Sequence, residues 1–282
     1  MSNFAPAILK ERDFQRFSAF IYDKVGIKLP PTKKTMVEAR IQKRLKILGL
    51  SGFEAYADYV FSHEGQENES VHLIDVVTTN KTDFFRESAH FDYLIRNVLP
   101  VIIGSRGDCI KEPVRIWSAG CSSGEEPYTM AMVLSEVAEK RRDFRFSILA
   151  SDISTRILEH AIRAIYPDDR IDPIPDRFKK KYLLKSQDRT SSVVRICPEI
   201  RQLVTFKRIN FMDDDFGMRQ KMDIIFCRNV VIYFDKPTQQ TLMGKFHGQL
   251  QSNGFLFLGH SESLNGLNVD FQAVASTIYR KA

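Results

Sequence analysis

Several marks of specialised protein classes are scarce or missing. The 282 residues hold four cysteines, at 109, 121, 197 and 227, with no C-x-x-C spacing. That excludes a disulfide-stapled scaffold and leaves no metal-cluster signature, so the thiols are read as reduced, in a cytoplasm. Apolar runs are short. The longest, Val98 to Ile103, spans six residues and contains Pro100, whereas a membrane helix needs about 20. The opening M-S-N-F-A-P lacks a basic region followed by an apolar core, so no signal peptide is expected. Repeats and low-complexity segments are absent. Six histidines are scattered, with no H-E-x-x-H and no His-Cys pair supported nearby in sequence, which argues against a hydrolase or metalloenzyme.

What is present describes a globular chain of one large or two modest domains, with 43% apolar and 27% charged residues. The net charge of +6 points to an acidic partner without choosing among nucleic acid, anionic lipid and protein. Its distribution is more telling. Lys24 to Lys46 holds eight basic residues and one acid, Glu38, while Glu54 to Asp75 holds six acids and no Lys or Arg. A basic patch followed by an acidic surface is expected.

The first 80 residues read as helical. Phe14, Phe17 and Ile21 share one helix face, ended by Gly26 and Pro30-Pro31. Val37, Ile41, Leu45 and Leu48 stripe a second helix, with Gly49 as its stop. Ser51 and Glu54 form a capping-box pattern opening a third, and a short fourth fits Ser70 to Val77. A polar stretch after Asn80 leads to a helix with Phe91, Leu94, Ile95, Val98 and Leu99 on one face. Beyond Val114 short apolar runs alternate with amphipathic helices: V-R-I-W-S, F-S-I-L-A-S, M-D-I-I-F-C and G-F-L-F-L-G. This rhythm predicts a mainly parallel sheet with helices on both faces. Asn253-Gly254 is read as a turn into the last of those strands. Between Asp168 and Val204 the rhythm breaks, and a small antiparallel insert is expected.

Five stretches could carry chemistry. In I-W-S-A-G-C-S-S-G-E-E-P-Y, Gly120 and Gly124 between strand and helix let a ligand approach the backbone; a plain tight turn is the alternative. Glu125 and Glu126 sit where a phosphate would need cations, so a cationic ligand suits it better. Asp152, ending the second strand, is a ribose-binding candidate or a helix cap. C-R-N-V-V-I-Y-F-D places Arg228, Asn229 and Tyr233 at a strand's carboxyl end, where ligands bind in such sheets, although one Tyr in an apolar frame is commonly core. T-N-K-T-D-F-F-R offers Arg86 as a carboxylate fork, or a linker with Asp83 as cap. Arg40, Lys43 and Lys46, bordered by Arg44, form either a solvated helix face or a dock for an acidic helix.

Taken in order, T-N-K-T-D-F-F-R-E, W-S-A-G-C-S-S-G-E-E-P-Y, A-S-D-I, C-R-N-V-V-I-Y-F-D-K and G-H-S-E-S resemble the CheR family of chemotaxis receptor methyltransferases, over about residues 12 to 280. The resemblance implies an α/β fold: a Rossmann-like S-adenosylmethionine-dependent domain over 81–282, with a small antiparallel β-subdomain at about 170–203, preceded by an all-α domain over 1–80. It implies S-adenosyl-L-methionine as cofactor and S-adenosyl-L-homocysteine as product. By motif position the cofactor-binding residues are Asn80, Thr82, Arg86, Glu126, Asp152, Asn210 with Phe211, and Cys227 with Arg228. Arg86 and Tyr233 fall nearest the reacting carboxylate as the catalytic pair. Arg40, Arg44 and Lys46, with Lys43 on the same face, match the receptor-docking helix. The implied partner is the cytoplasmic helical bundle of a chemoreceptor, with no nucleic acid, metal or membrane insertion, and the protein itself is expected to be a monomer. Some members also dock a receptor C-terminal peptide on the β-subdomain, but the turn here, S-Q-D-R-T-S-S, lacks their glycines. Lys46 stands where Arg is common. Chemically, a glutamate acceptor is already an anion near pH 7 and needs no general base. Two other readings compete: a nucleic-acid methyltransferase, for which no N-P-P-Y is present, and a non-catalytic module on a cofactor fold.

Overall fold

The computed structural model describes residues 8–106, 112–188 and 190–282. The opening M-S-N-F-A-P, Cys109 and Arg189 of the insert turn lie outside these residues.

Five helices come first: α1 (Glu11–Val25), α2 (Lys34–Leu48), α3 (Phe53–Phe61), α4 (His63–Asn68) and α5 (Ser70–Val77). The predicted stripes meet as one core, with Phe14, Phe17, Ile21, Val37, Ile41, Leu45 and Tyr56 buried together. Gly26 and Gly49 close α1 and α2 in the left-handed region, at φ 72° and 67°, where a side chain would be strained. The capping box does not form. Gly52 precedes α3 without a side-chain cap, because the Glu54 carboxylate is taken by Lys10 at 3.1 Å and Arg12 at 3.2 Å. Helix α4 was not expected from the sequence; Ser62 caps it, accepting from Gly65 N. The predicted acidic surface forms in part: Glu54, Asp58, Glu64 and Glu67 are exposed. Glu54 and Asp58 pair with α1 cations, and Glu69 and Asp75 are buried.

The predicted helix after residue 88 is α6 (Ala89–Tyr93), a π-helical turn (Leu94–Val98) and α7 (Leu99–Ser105). Pro100 directly follows the π-helical turn within this continuous helix, where the regular i→i−4 ladder is already interrupted. Then come β1 (Val114–Ala119), α8 (Glu125–Lys140), β2 (Phe146–Asp152), α9 (Thr155–Arg163), β3 (Ile165–Pro167), α10 (Asp176–Tyr182), β4 (Leu183–Lys185), β5 (Val193–Ile196), α11 (Pro198–Arg201), β6 (Val204–Arg208), β7 (Met222–Cys227), α12 (Lys236–Gln249), β8 (Leu250–Leu258), β9 (Phe271–Ala275) and β10 (Ile278–Lys281).

Seven strands form one sheet in the order β6-β2-β1-β7-β8-β10-β9. The first five are parallel, and β10 pairs antiparallel with both β8 and β9. Alternate residues feed two cores. Ile116, Ile148, Phe226 and Phe257 pack on one face with α8 and α7; Trp117, Ile225 and Leu256 pack on the other with Phe246 of α12. The insert is a separate antiparallel sheet, β3-β5-β4, starting at Ile165.

Two expectations at the carboxyl end fail. Asn253-Gly254 is no turn: β8 runs through it, with Asn253 at φ 63° and a register shift opposite Met222 and Ile224. The bulge needs the left-handed residue that a turn would need. The β9–β10 hairpin went unread, because its half-exposed strands lack a continuous apolar run.

Candidate functional site

The parallel strands all deliver their carboxyl ends to one edge, and the loops leaving β1, β2, β6 and β7 wall a cleft there. The polar segment 79–86 and the loop before α2 close its other side. About 1250 Å³ of space, open solvent at its mouth included, lies between these walls.

The β1–α8 turn is built on positive φ, at Gly120 (83°), Ser122 (50°) and Gly124 (96°). Gly120 N and Cys121 N both donate to Ser151 O at 2.8 Å. A Cβ on Gly120 would lie 2.5 Å from Val230 Cγ2, so the two loops touch only because the residue is glycine. Asp152 is buried on the cleft wall. It accepts from Ser122 N at 2.9 Å and Ser154 N at 3.0 Å. The cap of α9 is Ser154, not Asp152. Burial pushes the Asp152 carboxyl up, and these N–H groups pull it back.

Glu126 and Glu125 part company. Glu126 lines the cleft and accepts from Ser118 Oγ at 2.6 Å and Arg228 Nη1 at 3.3 Å. Burial raises its carboxyl, opposed chiefly by Arg228. Glu125 turns away from the cleft to Ser123 Oγ and to Arg170 Nη2, at 2.6 and 2.8 Å. Only one of the two expected carboxylates therefore faces a ligand.

Asn80, Thr82 and Arg86 line the facing wall. Asp83 caps nothing; its carboxylate lies 3.6 Å from Arg170, and Ser88 precedes α6. Arg170, from the insert, also donates to Thr82 O and so staples this segment to α8. Asn210 lines the cleft while its amide reaches Lys24 O at 2.7 Å. Phe211 lines it beside Trp117 and Phe246.

At the end of β7, Cys227 departs from expectation. Its side chain is wholly buried in the α12-side core and does not line the cleft; burial holds the thiol protonated. Arg228 does line the cleft. It spans Glu126 and Glu87, with Nη2 at 3.0 Å from Glu87 Oε2, and also bonds the Arg86 carbonyl. Tyr233 is half-buried on the wall. Burial raises its phenol, and the charges of Arg86 and Arg40 pull it back.

The four α2 cations split. Arg44 forks onto Glu69 at 2.7 and 2.5 Å, where Tyr56 also donates; it is interior structure, not a docking surface. Arg40 is largely committed to the carbonyls of Val77 and Thr78. Lys43 and Lys46 are exposed.

Four participants were missed: Glu87, Ser122, Arg170 and Glu262. Glu87, Ser122 and Glu262 lie inside the quoted motifs, which gave no sign of their partners, and Arg170 lies in none; the bonds that reveal them span up to 142 residues. The site fits S-adenosylmethionine in donor chemistry. Asp152 keeps acceptor capacity for a diol, Glu126 offers a carboxylate to a cation, and buried Ser122 Oγ has no hydrogen-bond partner among the described residues.

Comparison with known proteins agrees. Residues 12–78 match the family described as CheR methyltransferase, all-alpha domain, and residues 80–280 match CheR methyltransferase, SAM binding domain. The chain is 41% identical over 270 residues to the chemotaxis protein methyltransferase of Borreliella burgdorferi, covering 95% of this chain and 94% of that one. It is 37% identical to chemotaxis protein methyltransferase 2 of Pseudomonas aeruginosa (96% and 93% covered) and 34% identical to the Escherichia coli chemotaxis protein methyltransferase (96% and 91%). With both of its halves matched and its cleft built for the cofactor, the chain belongs to the CheR methyltransferase family of S-adenosylmethionine-dependent chemotaxis methyltransferases.

Proposed function

We propose that this protein methylates glutamate side chains on the cytoplasmic helices of chemoreceptors, giving glutamyl methyl esters, and that it works in the cytoplasm. One observation carries the acceptor assignment: Arg86 and Tyr233 share a cleft with Asp152 and Glu126; among the described residues no histidine lines it, and its lysines, Lys28, Lys33 and Lys81, are not paired with a carboxylate that would make one a general base. A carboxylate acceptor needs none.

The cofactor supplies an electrophilic methyl on a sulfonium. Asp152 holds the ribose diol, Glu126 faces the cationic end, and Asn80, Thr82, Asn210 and Phe211 frame the rest. Arg86 grips carboxylate. Its role is orientation, since an ion pair held too tightly would quench the nucleophile. Tyr233 remains a phenol at neutral pH, because burial raises it, and so donates to the incoming carboxylate. Placing nucleophile and methyl in line, with water excluded, accounts for the acceleration. Bringing an anion onto a cation in a desolvated cleft also favours neutral products.

Docking falls to the exposed face of α2. Met36 lines the cleft, and Lys43 lies two turns along the same face, about 10 Å away at 1.5 Å per residue. Lys46 flanks it. A receptor helix with acidic residues spaced at i and i+7 from the acceptor glutamate fits this track.

The test is labelled methyl transfer to a receptor cytoplasmic fragment. Base-labile label on the fragment is expected, falling at least ~100-fold in Arg86→Ala. Label on nucleic acid alone, or S-adenosylhomocysteine binding without transfer to any receptor fragment, with or without its C-terminal peptide, would overturn the reading.

A further inference from the structure

Glu262 lies outside the cleft yet organises one wall of it. Past the end of β8 the chain turns back, and the carboxylate, on a side chain only 4% exposed, meets the loop leaving β7. Oε2 accepts from Asn229 N at 2.8 Å and Gly259 N at 2.7 Å. Oε1 accepts from Val230 N at 2.8 Å and Ile232 N at 3.3 Å. One carboxylate thus serves four backbone donors, three of them in the four residues between Arg228 and Tyr233. The approach is tailored, since a Cβ on Gly259 would sit 2.8 Å from Asn229 N and 2.9 Å from Glu262 Oε2. Asn229 is held at φ 59°, a conformation that persists where its surroundings over-determine it. No cation pairs with Glu262 among the described residues. Burial raises its carboxyl and the four N–H groups oppose that rise, as fits an acceptor whose ligand is the backbone itself.

We propose that Glu262 is a positioning residue for methyl transfer: it fixes the 229–232 loop and through it the placement of Tyr233 against the acceptor. This rests on the role given above to Tyr233. Arg228, by contrast, is held directly by Glu87 and Glu126; Glu87 meets the loops that Glu262 organises only through the longer bonds from Asn229 Nδ2 and His260 N, at 3.4 and 3.2 Å, so the cofactor side of the cleft depends on Glu262 far less than Tyr233 does.

That asymmetry supplies the test. In Glu262→Gln the shape survives, but the amide nitrogen presents donors to donors. Single-turnover transfer at saturating cofactor should fall ~100-fold, the loss expected for a misplacement near 1 Å, with S-adenosylhomocysteine affinity within threefold of the parent. Amide exchange should accelerate in 228–233 while β7 stays protected. Gly259→Ala, pressing on the same carboxylate without removing it, should give the same pattern and serves if Glu262→Gln does not fold. Unchanged exchange in 228–233, or cofactor affinity falling in step with transfer, would overturn the proposal. Should the parent protein methylate no receptor fragment, the acceptor reading fails instead, and the exchange and affinity measurements still decide whether Glu262 sets this loop.

Discussion

Two arginines in this molecule are tied to buried carboxylates, and they do opposite things. Arg44 and Glu69 close on each other in a two-pronged fork, completed by Tyr56; Glu69 is buried and Arg44 half-buried against the helical core, and neither lines the cleft. Arg228 instead bridges two carboxylates, Glu87 and Glu126, and both it and Glu126 line the cleft. The first knot is saturated. The second has an open side, where Glu126 retains acceptor capacity. Charge and burial are nearly the same in the two places; what separates a structural ion pair from a binding site is whether the network leaves a group unfinished toward space.

Breaking each knot sharpens that distinction. Arg228→Ala strands Glu87 and Glu126 as uncompensated neighbours and should cost about 3–5 kcal/mol of stability. It should also abolish measurable S-adenosylhomocysteine binding by calorimetry. Arg44→Ala should cost a similar ~3–5 kcal/mol, because Glu69 loses its partner. Transfer per folded molecule should nevertheless stay within threefold of the parent, assayed below the lowered unfolding midpoint. If Arg44→Ala raises the receptor KM tenfold with its fold intact, the comparison collapses and Arg44 returns to the docking face.

A smaller effect belongs to the cations that face water. Lys43→Glu with Lys46→Glu should raise the receptor KM about tenfold, more at low salt than at 0.5 M, as screening weakens exposed charges. Cofactor affinity and kcat should hold. A kcat loss without a KM change would move these lysines out of docking.

A separate effect, read in stability and not in transfer, comes from a neutral neighbour of the open knot. His90 faces Glu87, Arg228 and His260, and burial with the charge of Arg228 presses it down to about 4. The unfolded chain takes up this proton below about 6.5, while the folded one resists until about 4. Stability is therefore complete above pH 6.5 and declines as pH falls toward 4. The loss at pH 5 should reach roughly 2 kcal/mol in urea unfolding, and His90→Gln should flatten it. An unchanged slope in the variant would assign the acid sensitivity elsewhere.

The sequence was most informative where chemistry sits on periodic elements. The strand-end loops holding Asp152 and Arg228, the parallel sheet and the insert were legible because apolar runs fixed the strands, and parallel strands must open on a common edge. Arg86 was legible from its motif. Side-chain allegiance was not. Nothing local tells that Glu54 prefers Lys10 to its own helix end, that Glu125 serves the insert while Glu126 serves the cleft, or that Arg44 folds inward onto a residue 25 positions away. Cys227 shared a motif with Arg228 but, as the last residue of a fully buried strand, its side chain belongs to the core. Glu87, Arg170 and Glu262 act over long separations that no window spans.

The order of strands also bears on how the molecule is made. β10, at residues 278–281, sits inside the sheet, between β8 and β9, with Ile278 and Tyr279 buried. The helical region draws its core from residues 9–77 and can organise early in synthesis, as N-terminal units generally do. The sheet cannot be completed until the final strand arrives. During translation the helix that carries Lys43 and Lys46 can therefore fold before the cleft beside it is complete, so the proposed docking face would exist ahead of the catalytic one.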